Sequence, residues 1–417
     1  MHQKKSFLII GKVWPEPRSS AAGTRMMQLI DIFKNNGFII TVASASDRGE
    51  FSADLEGLGV HQKKIKLNDP SFDVFITELK PDYVLFDRFM TEEQFGWRVA
   101  EHCPGAVRIL DTVDLHSLRS ARQNAWKKGE AFQLETLLSE KVARREIASL
   151  LRCDLSLIIS DVEISILKNV FMLDDNLLHY LPFLLKPDEF KNAEQLPVFE
   201  ERRHFVTIGN FLHEPNWNAV LWLKEEIWPL IRSRLPDAEM YVYGSYVSQK
   251  VTQLHNLGQG FLIKGRAPDA IEAIQKARVL LAPLRFGAGL KGKLVDAMLA
   301  GTPSVTTEVG AEGMTGEHSA WCGAIENDAE LFADRAVDLY QNKTKWVNVQ
   351  GFGFQLAKER FGLDAFSEEL IARITILKDN LEAHRKKNFL GSVLMQNTLA
   401  STKYMAKWIE EKNRRNL

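Results

Sequence analysis

The sequence predicts an α/β protein made of two doubly wound, Rossmann-like domains in tandem, and three observations carry that prediction. Its 417 residues exceed one ordinary core and suit two domains of roughly 100–200 residues each. Short apolar runs alternate with helical patterns for most of the length, which implies βαβ units and parallel sheets. The alternation pauses at a linker, "KPDEFKNAEQLPVFEERR", and then restarts. The boundaries are 1–185 for the first domain, 186–365 for the second, and 366–417 for helices that cross back to the first domain.

In the first domain, "SFLIIGKVW" reads as a strand, "PEPRSSAAG" as a loop, and "TRMMQLIDIFKNNG" as a helix closed by Gly37, with Thr24 as a candidate N-cap. "FIITVAS", "YVLFD", "AVRILD" and "DLSLIIS" are further strands. "TEEQFGWRVAEHC" and "EAFQLETLLSEKVARREIASLL" are helices between them. The second domain opens with the strand "HFVTIG" and the helix "NWNAVLWLKEEIWPLIRSRL". The strand "EMYVYG" and helix "VSQKVTQLHNLG" follow, then the strand "GFLIKG" and helix "DAIEAIQKA". The strand "RVLLAPL", helix "KGKLVDAMLAG" and strand "PSVTT" complete it. The aromatics Phe211, Trp217, Trp222 and Trp228 recur at helical spacing and read as core. In the tail, "STKYMAKWIEEKN" puts Tyr404, Met405 and Trp408 close on one helical side, an apolar anchor that leaves Lys403, Lys407, Lys412, Arg414 and Arg415 toward solvent.

Composition narrows the function. A formal net charge of −1 gives no whole-molecule attraction to nucleic acid, so none is expected as a partner. Three scattered cysteines in no CxxC argue against a disulfide framework or a zinc site and fit a reducing, cytoplasmic setting. The opening apolar run is too short for a signal peptide, and no segment approaches the ~18–20 apolar residues of a spanning helix. A surface role at the inner face of the cell membrane remains open, through the basic tail.

The chemistry concentrates in "RVLLAPLRFGAGLKGKLVDAMLAGTPSVTTEVGAEG". Gly287, Gly289 and Gly292 spell G-x-G-x-x-G, the dinucleotide fingerprint, but three strand–helix units of the domain precede them. The fingerprint belongs in the first unit, directly after its strand. Physically the segment suits a diphosphate better. Its glycines let backbone approach a ligand, and the following helix turns unpaired N–H groups toward an anion. Lys291 and Lys293 add full charges, and Asp296, one turn into the helix, is placed to accept from a ribose hydroxyl.

This segment resembles the nucleotide-sugar site of the retaining GT-B glycosyltransferases of family four (glycosyl transferases group 1). Their Gly-rich loop runs into a helix reading "LEAMAxGxPVVxT", here "LVDAMLAGTPSVTT". "IGNFLHEPNWNAVLWLKEEIWPLI", "DTVDLHSLRSARQ", "SLIISDVEISIL" and "HYLPFLLKP" extend the resemblance over nearly the whole chain. Two departures stand out. Of the family's two glutamates, the first is Ala288 and the second Asp296, and Asn210 stands where the family has an arginine.

The resemblance implies a GT-B fold and transfer of a sugar, with retention, from a nucleoside-diphosphate sugar to a glycan or lipid-linked acceptor in cell-surface polysaccharide assembly. His116 would orient the donor sugar, and Lys291 and Lys293 would stabilise the leaving diphosphate. Gly209, Asn210, Gly244, Arg266, Arg285, Gly287, Ala288, Gly289, Leu290 and Asp296 would form the donor site. Gly23, Arg25 and His213 would line the cleft on the acceptor side. The chain contains no Asp-x-Asp, so no metal and no cofactor beyond the co-substrate is expected; fixed cations take the metal's place. Three other readings stay open: a nucleotide-sugar epimerase of the same fold, a non-catalytic nucleotide-sugar-binding subunit, and a dehydrogenase.

Overall fold

Near-continuous apolar runs such as "FLIIG" and "VLLA" suit strands buried on both faces of a parallel sheet. The computed structural model describes residues 5–415 except 317 and 319, with the side chains of 365, 397–400 and 415 also outside the description. The first sheet contains β1 (Ser6–Gly11), β2 (Ile39–Ser44), β3 (His61–Lys64), β4 (Tyr83–Asp87), β5 (Val107–Asp111), β6 (Leu155–Ile158) and β7 (Leu178–Tyr180). The second contains β8 (Phe205–Ile208), β9 (Met240–Tyr243), β10 (Phe261–Gly265), β11 (Val279–Ala282), β12 (Ser304–Thr306) and β13 (Gly323–Ile325). Their orders are β3-β2-β1-β4-β5-β6-β7 and β10-β9-β8-β11-β12-β13, all pairs parallel. Each sheet reverses its winding beside its first strand, between β1 and β4 and between β8 and β11. Ligand crevices open at the carboxyl ends of strands at such points.

Strand alternation divides each core in two. Leu8, Ile10, Val84 and Phe86 join the cluster on one face of the first sheet, and Phe7, Ile9, Tyr83 and Leu85 the cluster on the other. Val206, Leu280 and Ala282 against Phe205, Val279 and Leu281 divide the second sheet likewise. The chain passes between the domains twice, side by side. The Leu185 N–H donates to the Phe361 carbonyl at 2.7 Å, and the Leu363 N–H to the Leu185 carbonyl at 2.9 Å. Beyond Gly362, the helix Leu363–Asp379 lays Leu370, Ile374 and Leu377 into the Phe7 cluster of the first domain.

Several elements differ from the sequence reading. Strand β3, "HQKK", sits at a sheet edge and carries no apolar alternation, while β7 and β13 have three residues each. The helix Ser71–Leu79 has no counterpart in the sequence pattern, and the second half of "SLIISDVEISIL", a strand by resemblance, forms the helix Asp161–Asn169. The long helix expected over "EAFQLETLLSEKVARREIASLL" breaks at extended Glu140 into a 3-10 segment, Leu134–Ser139, and the helix Lys141–Arg152. "VSQKVTQLHNLG" yields only the single turn Gln249–Thr252. The stretch "DTVDLHSLRSARQ", which by resemblance is a loop carrying a histidine, becomes helical at His116, in the helix His116–Lys128. The N-cap of the first helix, Ala21–Asn35, is Ser20, whose Oγ accepts from the Gly23 N–H; Thr24 lies inside the first turn and donates to the Pro17 carbonyl.

The last helix, Phe389–Arg415, reverses the expected polarity. Tyr404, Met405 and Trp408 face solvent, and the packing side carries Ala406 against Trp97. Lys403 pairs with Glu101 at 2.7 Å, and Glu410 pairs with buried Arg98. A small residue flanked by charges that find partners therefore docks this helix.

Candidate active site

The second domain builds half of the site at the ends of β8 and β9. A Cβ on Gly209 would lie 2.8 Å from the Asn216 amide and 3.0 Å from Lys293 Nζ, and one on Gly244 would lie 2.3 Å from the Gly209 carbonyl oxygen. Glycine at both places lets side chains close over the strand ends. Lys293 Nζ donates to Asn216 Oδ1 at 2.8 Å, and Asn216 Nδ2 donates to the Asn210 carbonyl at 3.0 Å. The helix Gly292–Leu299 starts beside them with no side-chain cap, so its first N–H groups and dipole face the cleft. Lys291, at the N-cap position, is buried and donates Nζ to the Gly289 carbonyl at 2.6 Å. Removal from water lowers both lysines to about 8, though Asp296 opposes this for Lys293 and Glu312 for Lys291. Burial, followed by Glu189 and Asp269, raises Asp296 to about 7.

The first domain supplies the facing half after β5. Val113 takes a positive φ of 64°, and the chain then enters the helix His116–Lys128. Buried glutamates from other helices cap that helix where no local side chain does. Glu146 accepts from the His116 N–H at 2.8 Å and the Ser117 N–H at 3.0 Å, and Glu163 Oε1 accepts from the Leu115 N–H at 3.0 Å. His116 Nδ1 lies 3.2 Å from Asp114 Oδ1. Burial alone would raise Asp114, but Arg119, His116 and His213 hold its carboxyl well below the usual range.

Glu163 joins the halves. The same Oε1 accepts from the Gly289 N–H of the Gly-rich loop at 2.8 Å, while Oε2 is buried with no hydrogen-bond partner among the described residues. Burial, then the nearby Asp114 charge, pushes Glu163 up to about 8. Gly289 has φ +64°, and a Cβ there would lie 2.9 Å from that of Asp114. Ala288 enters the first domain's hydrophobic cluster, and Leu290 shares a cluster with Ile159 and Phe183. Arg122 donates to the Gly287 carbonyl at 2.9 Å and grips both Glu312 oxygens, at 2.8 and 2.6 Å. On the opposite flank the Arg266 guanidinium covers Phe51 at 4.3 Å, and Tyr246 Oη donates to Glu16 at 2.8 Å. The Gly-rich loop is thus held against the first domain at every residue from 287 to 290.

The structure gathers Gly209, Asn210, Gly244, His213, Lys293 and Asp296 at one end of the cleft, with Lys291, Gly287, Ala288, Gly289, Leu290 and His116 at the domain junction. His213 keeps an exposed flank, yet the cleft walls and Arg119 lower its imidazole to about 4, against the pull of Asp114. Three expected residues lie elsewhere. Arg25 is 1% exposed and does not line the cleft; it binds Asp111 at 2.9 Å and the carbonyls of Leu181 and Pro182. Gly23 lies beneath the Glu16 backbone, where a Cβ would come within 2.3 Å, so it serves loop packing. Arg285 does not face the lysines: its guanidinium is sandwiched between Trp126 and Trp222, at 4.7 and 5.2 Å, with Nε on Asn218. Sequence reasoning missed Glu146, Glu163, Arg122 and Glu312. Each sits in a polar helix or turn where a charged residue reads as solvated.

Among the described residues, no group of three or more His, Cys, Asp or Glu could hold a metal ion, and no helix is long and apolar enough to cross a membrane. Residues 202–342 match the family model described as "Glycosyl transferases group 1". Over 161 residues the chain is 24% identical to an "Uncharacterized 44.6 kDa protein in cps region" of Klebsiella pneumoniae, covering 37% of this chain and 41% of that relative. Among solved structures it resembles Anabaena Alr3699/HepE in complex with UDP-glucose, with TM-score 0.66, 13% identity, and coverage of 89% of this chain and 100% of that one. It also resembles WaaG, a glycosyltransferase involved in lipopolysaccharide biosynthesis, with TM-score 0.61, 14% identity, and coverage of 88% and 98%. The architecture is GT-B, two parallel-sheet Rossmann-like domains, and together with the family match it supports a glycosyltransferase.

Proposed function

We propose that the chain transfers a sugar from a nucleoside-diphosphate sugar to a glycan or lipid-linked acceptor, with retention of configuration, in cell-surface polysaccharide assembly. The observation that carries this reading is the pair Lys291 and Lys293 at the uncapped start of the helix Gly292–Leu299, beside the strand ends at Gly209 and Gly244. Such a site concentrates fixed positive charge where a departing diphosphate gains negative charge, and this electrostatic work needs no metal. In the proposed reaction the bond from the anomeric carbon to the diphosphate oxygen breaks. The acceptor oxygen bonds to that carbon on the same face, and its proton leaves with the diphosphate. His116, steadied by Asp114, orients the donor sugar; Asp296 accepts from the ribose. Support for the setting comes from the cps-region relative and the lipopolysaccharide enzyme of the same fold.

A nucleotide-sugar epimerase is the second reading, because His116 Nδ1 lies 3.2 Å from Asp114 Oδ1, a close pair of titratable groups beside the Gly-rich loop. Incubation with a panel of UDP- and GDP-sugars, with and without glycan acceptors, separates the two. Acceptor-dependent release of nucleoside diphosphate, with an anomeric proton of unchanged configuration by NMR, is the expected result. Conversion of the sugar without acceptor would install the epimerase, and binding of NAD alone would overturn both.

A further inference from the structure

We propose that the last helix, Phe389–Arg415, is a lipid-contacting element that lays an aromatic face onto a bilayer rich in anionic lipid. The inference stands on this helix alone and does not rest on the reading of the cleft. Among the described residues, the helix docks along one side. Ala406 packs with Trp97, and Lys403 and Glu410 find partners on the helix Phe89–His102. Tyr404, Met405 and Trp408 point away from that contact, 69%, 59% and 61% exposed. Tyr404 and Trp408 are neighbours four residues apart on one helical face. Leu390, 65% exposed, precedes Trp408 by 18 residues, which is five whole turns, so it lies on the same line.

The residues among these aromatics decide the partner. Lys407 and Lys412 are exposed on the same helix, Lys412 Nζ lies 5.4 Å over the Trp408 ring, and Arg414 pairs with Glu411 at 3.0 Å. Lysine is depleted from the centres of protein–protein interfaces, where its charge would be stripped of water. An interfacial helix, in contrast, uses that mixture: Trp and Tyr at headgroup depth, and lysines whose long stems carry the charge back out to anionic phosphates. The chain as a whole has a net charge of −1, so attraction to such a surface has to be local.

Cosedimentation of the full chain with vesicles tests this, using phosphatidylcholine alone and phosphatidylcholine with phosphatidylglycerol, at low and high salt. The expected result is binding to the anionic vesicles only, weakened by salt as screening predicts. Each of Lys407→Glu and Lys412→Glu should lower the partition coefficient at least fivefold, since about 1 kcal/mol per basic residue is a factor of five. Tyr404→Ser combined with Trp408→Ser should lower it by tenfold or more while leaving the circular dichroism spectrum unchanged. Absence of binding to anionic vesicles at low salt, or binding indifferent to the Tyr404 and Trp408 substitutions, overturns the proposal. So does a concentration-dependent dimer in sedimentation velocity that the same double substitution abolishes, because the face would then be a self-interface.

Discussion

Replacing Glu163 by alanine and by glutamine probes the tie between the domains. Alanine leaves the Leu115 and Gly289 N–H groups without their acceptor in a buried place. Each orphaned donor costs about 1–3 kcal/mol, so Glu163→Ala should destabilise the protein by about 2–6 kcal/mol. Glutamine keeps an oxygen for both donors, and its amide occupies the place of Oε2, which has no hydrogen-bond partner among the described residues and lies near the charge of Asp114. The two substitutions should therefore differ sharply. The pH dependence makes the test specific. The folded-state value of Glu163 is raised to about 8 from 4.5, so between those values the native protein holds a proton that the unfolded chain has released. Stability from this group is full at low pH and is lost as pH rises through that window, with a slope of about 1.4 kcal/mol per pH unit for a group titrating alone. Glu163→Gln removes that slope. Urea unfolding at pH 5, 6.5 and 8 should show the glutamine variant gaining on the wild type at each step. A stability difference that stays constant from pH 5 to 8 would refute a protonated Glu163, and an alanine variant as stable as the glutamine one would refute the tie itself.

Lys291→Ala and Lys293→Ala should each weaken UDP or GDP binding in calorimetry by about 1.5–3 kcal/mol, the value of a hydrogen bond to a charged group; unchanged affinity in both variants would remove the site assignment. Because both lysines are lowered to about 8, diphosphate affinity should be full below that pH and decline above it as they lose their protons, whereas an affinity flat to pH 10 would mean that neither charge matters. Transfer activity should survive EDTA, and loss on chelation that manganese restores would contradict fixed-cation catalysis. Gly209→Ala, whose new methyl would crowd Asn216 and Lys293 Nζ, should lower nucleotide affinity with little change in melting temperature; a large drop in melting temperature at unchanged affinity would instead make this strand end purely structural.

The two domains were legible because parallel strands buried on both faces are nearly continuous apolar runs, and "FLIIG", "YVLFD" and "VLLA" have that form. The elements that went unread lack it. "HQKK" is an edge strand whose side chains face water, and the helix His116–Lys128 draws its cap from Glu146 and Glu163, 30 and 48 residues away. The lysines and glycines of the donor loop were visible as a local motif. Arg25 misled because a charged residue beside a Gly-containing loop gives no sign that Asp111 and the Leu181 and Pro182 carbonyls will bury it. The tail misled for a related reason. Helical spacing groups Tyr404, Met405 and Trp408 on one side correctly, yet it cannot say whether that side faces the protein, and the ion pairs of Lys403 and Glu410 decided it.

One departure from the resembled family, Ala288, has its physical origin in the way the domains meet. Position 288 lies among the apolar side chains of the first domain's cluster, which includes Leu115 and Leu118, and the next residue touches Asp114. A glutamate at 288 would bring a third carboxyl beside Asp114 and Glu163, one of which already keeps its proton to about pH 8. Low dielectric and like charge both oppose it. Alanine fits that seat, and the acidic group near the loop comes instead from the first domain, as Glu163. That substitution changes what the acid does. A carboxyl carried by the loop would belong to the second domain, whereas Glu163 ties that loop to the first domain through the Leu115 and Gly289 N–H groups. The Gly289 N–H is accordingly taken up by Glu163, and Arg122 on Gly287 adds a second tie from the first domain to the same loop.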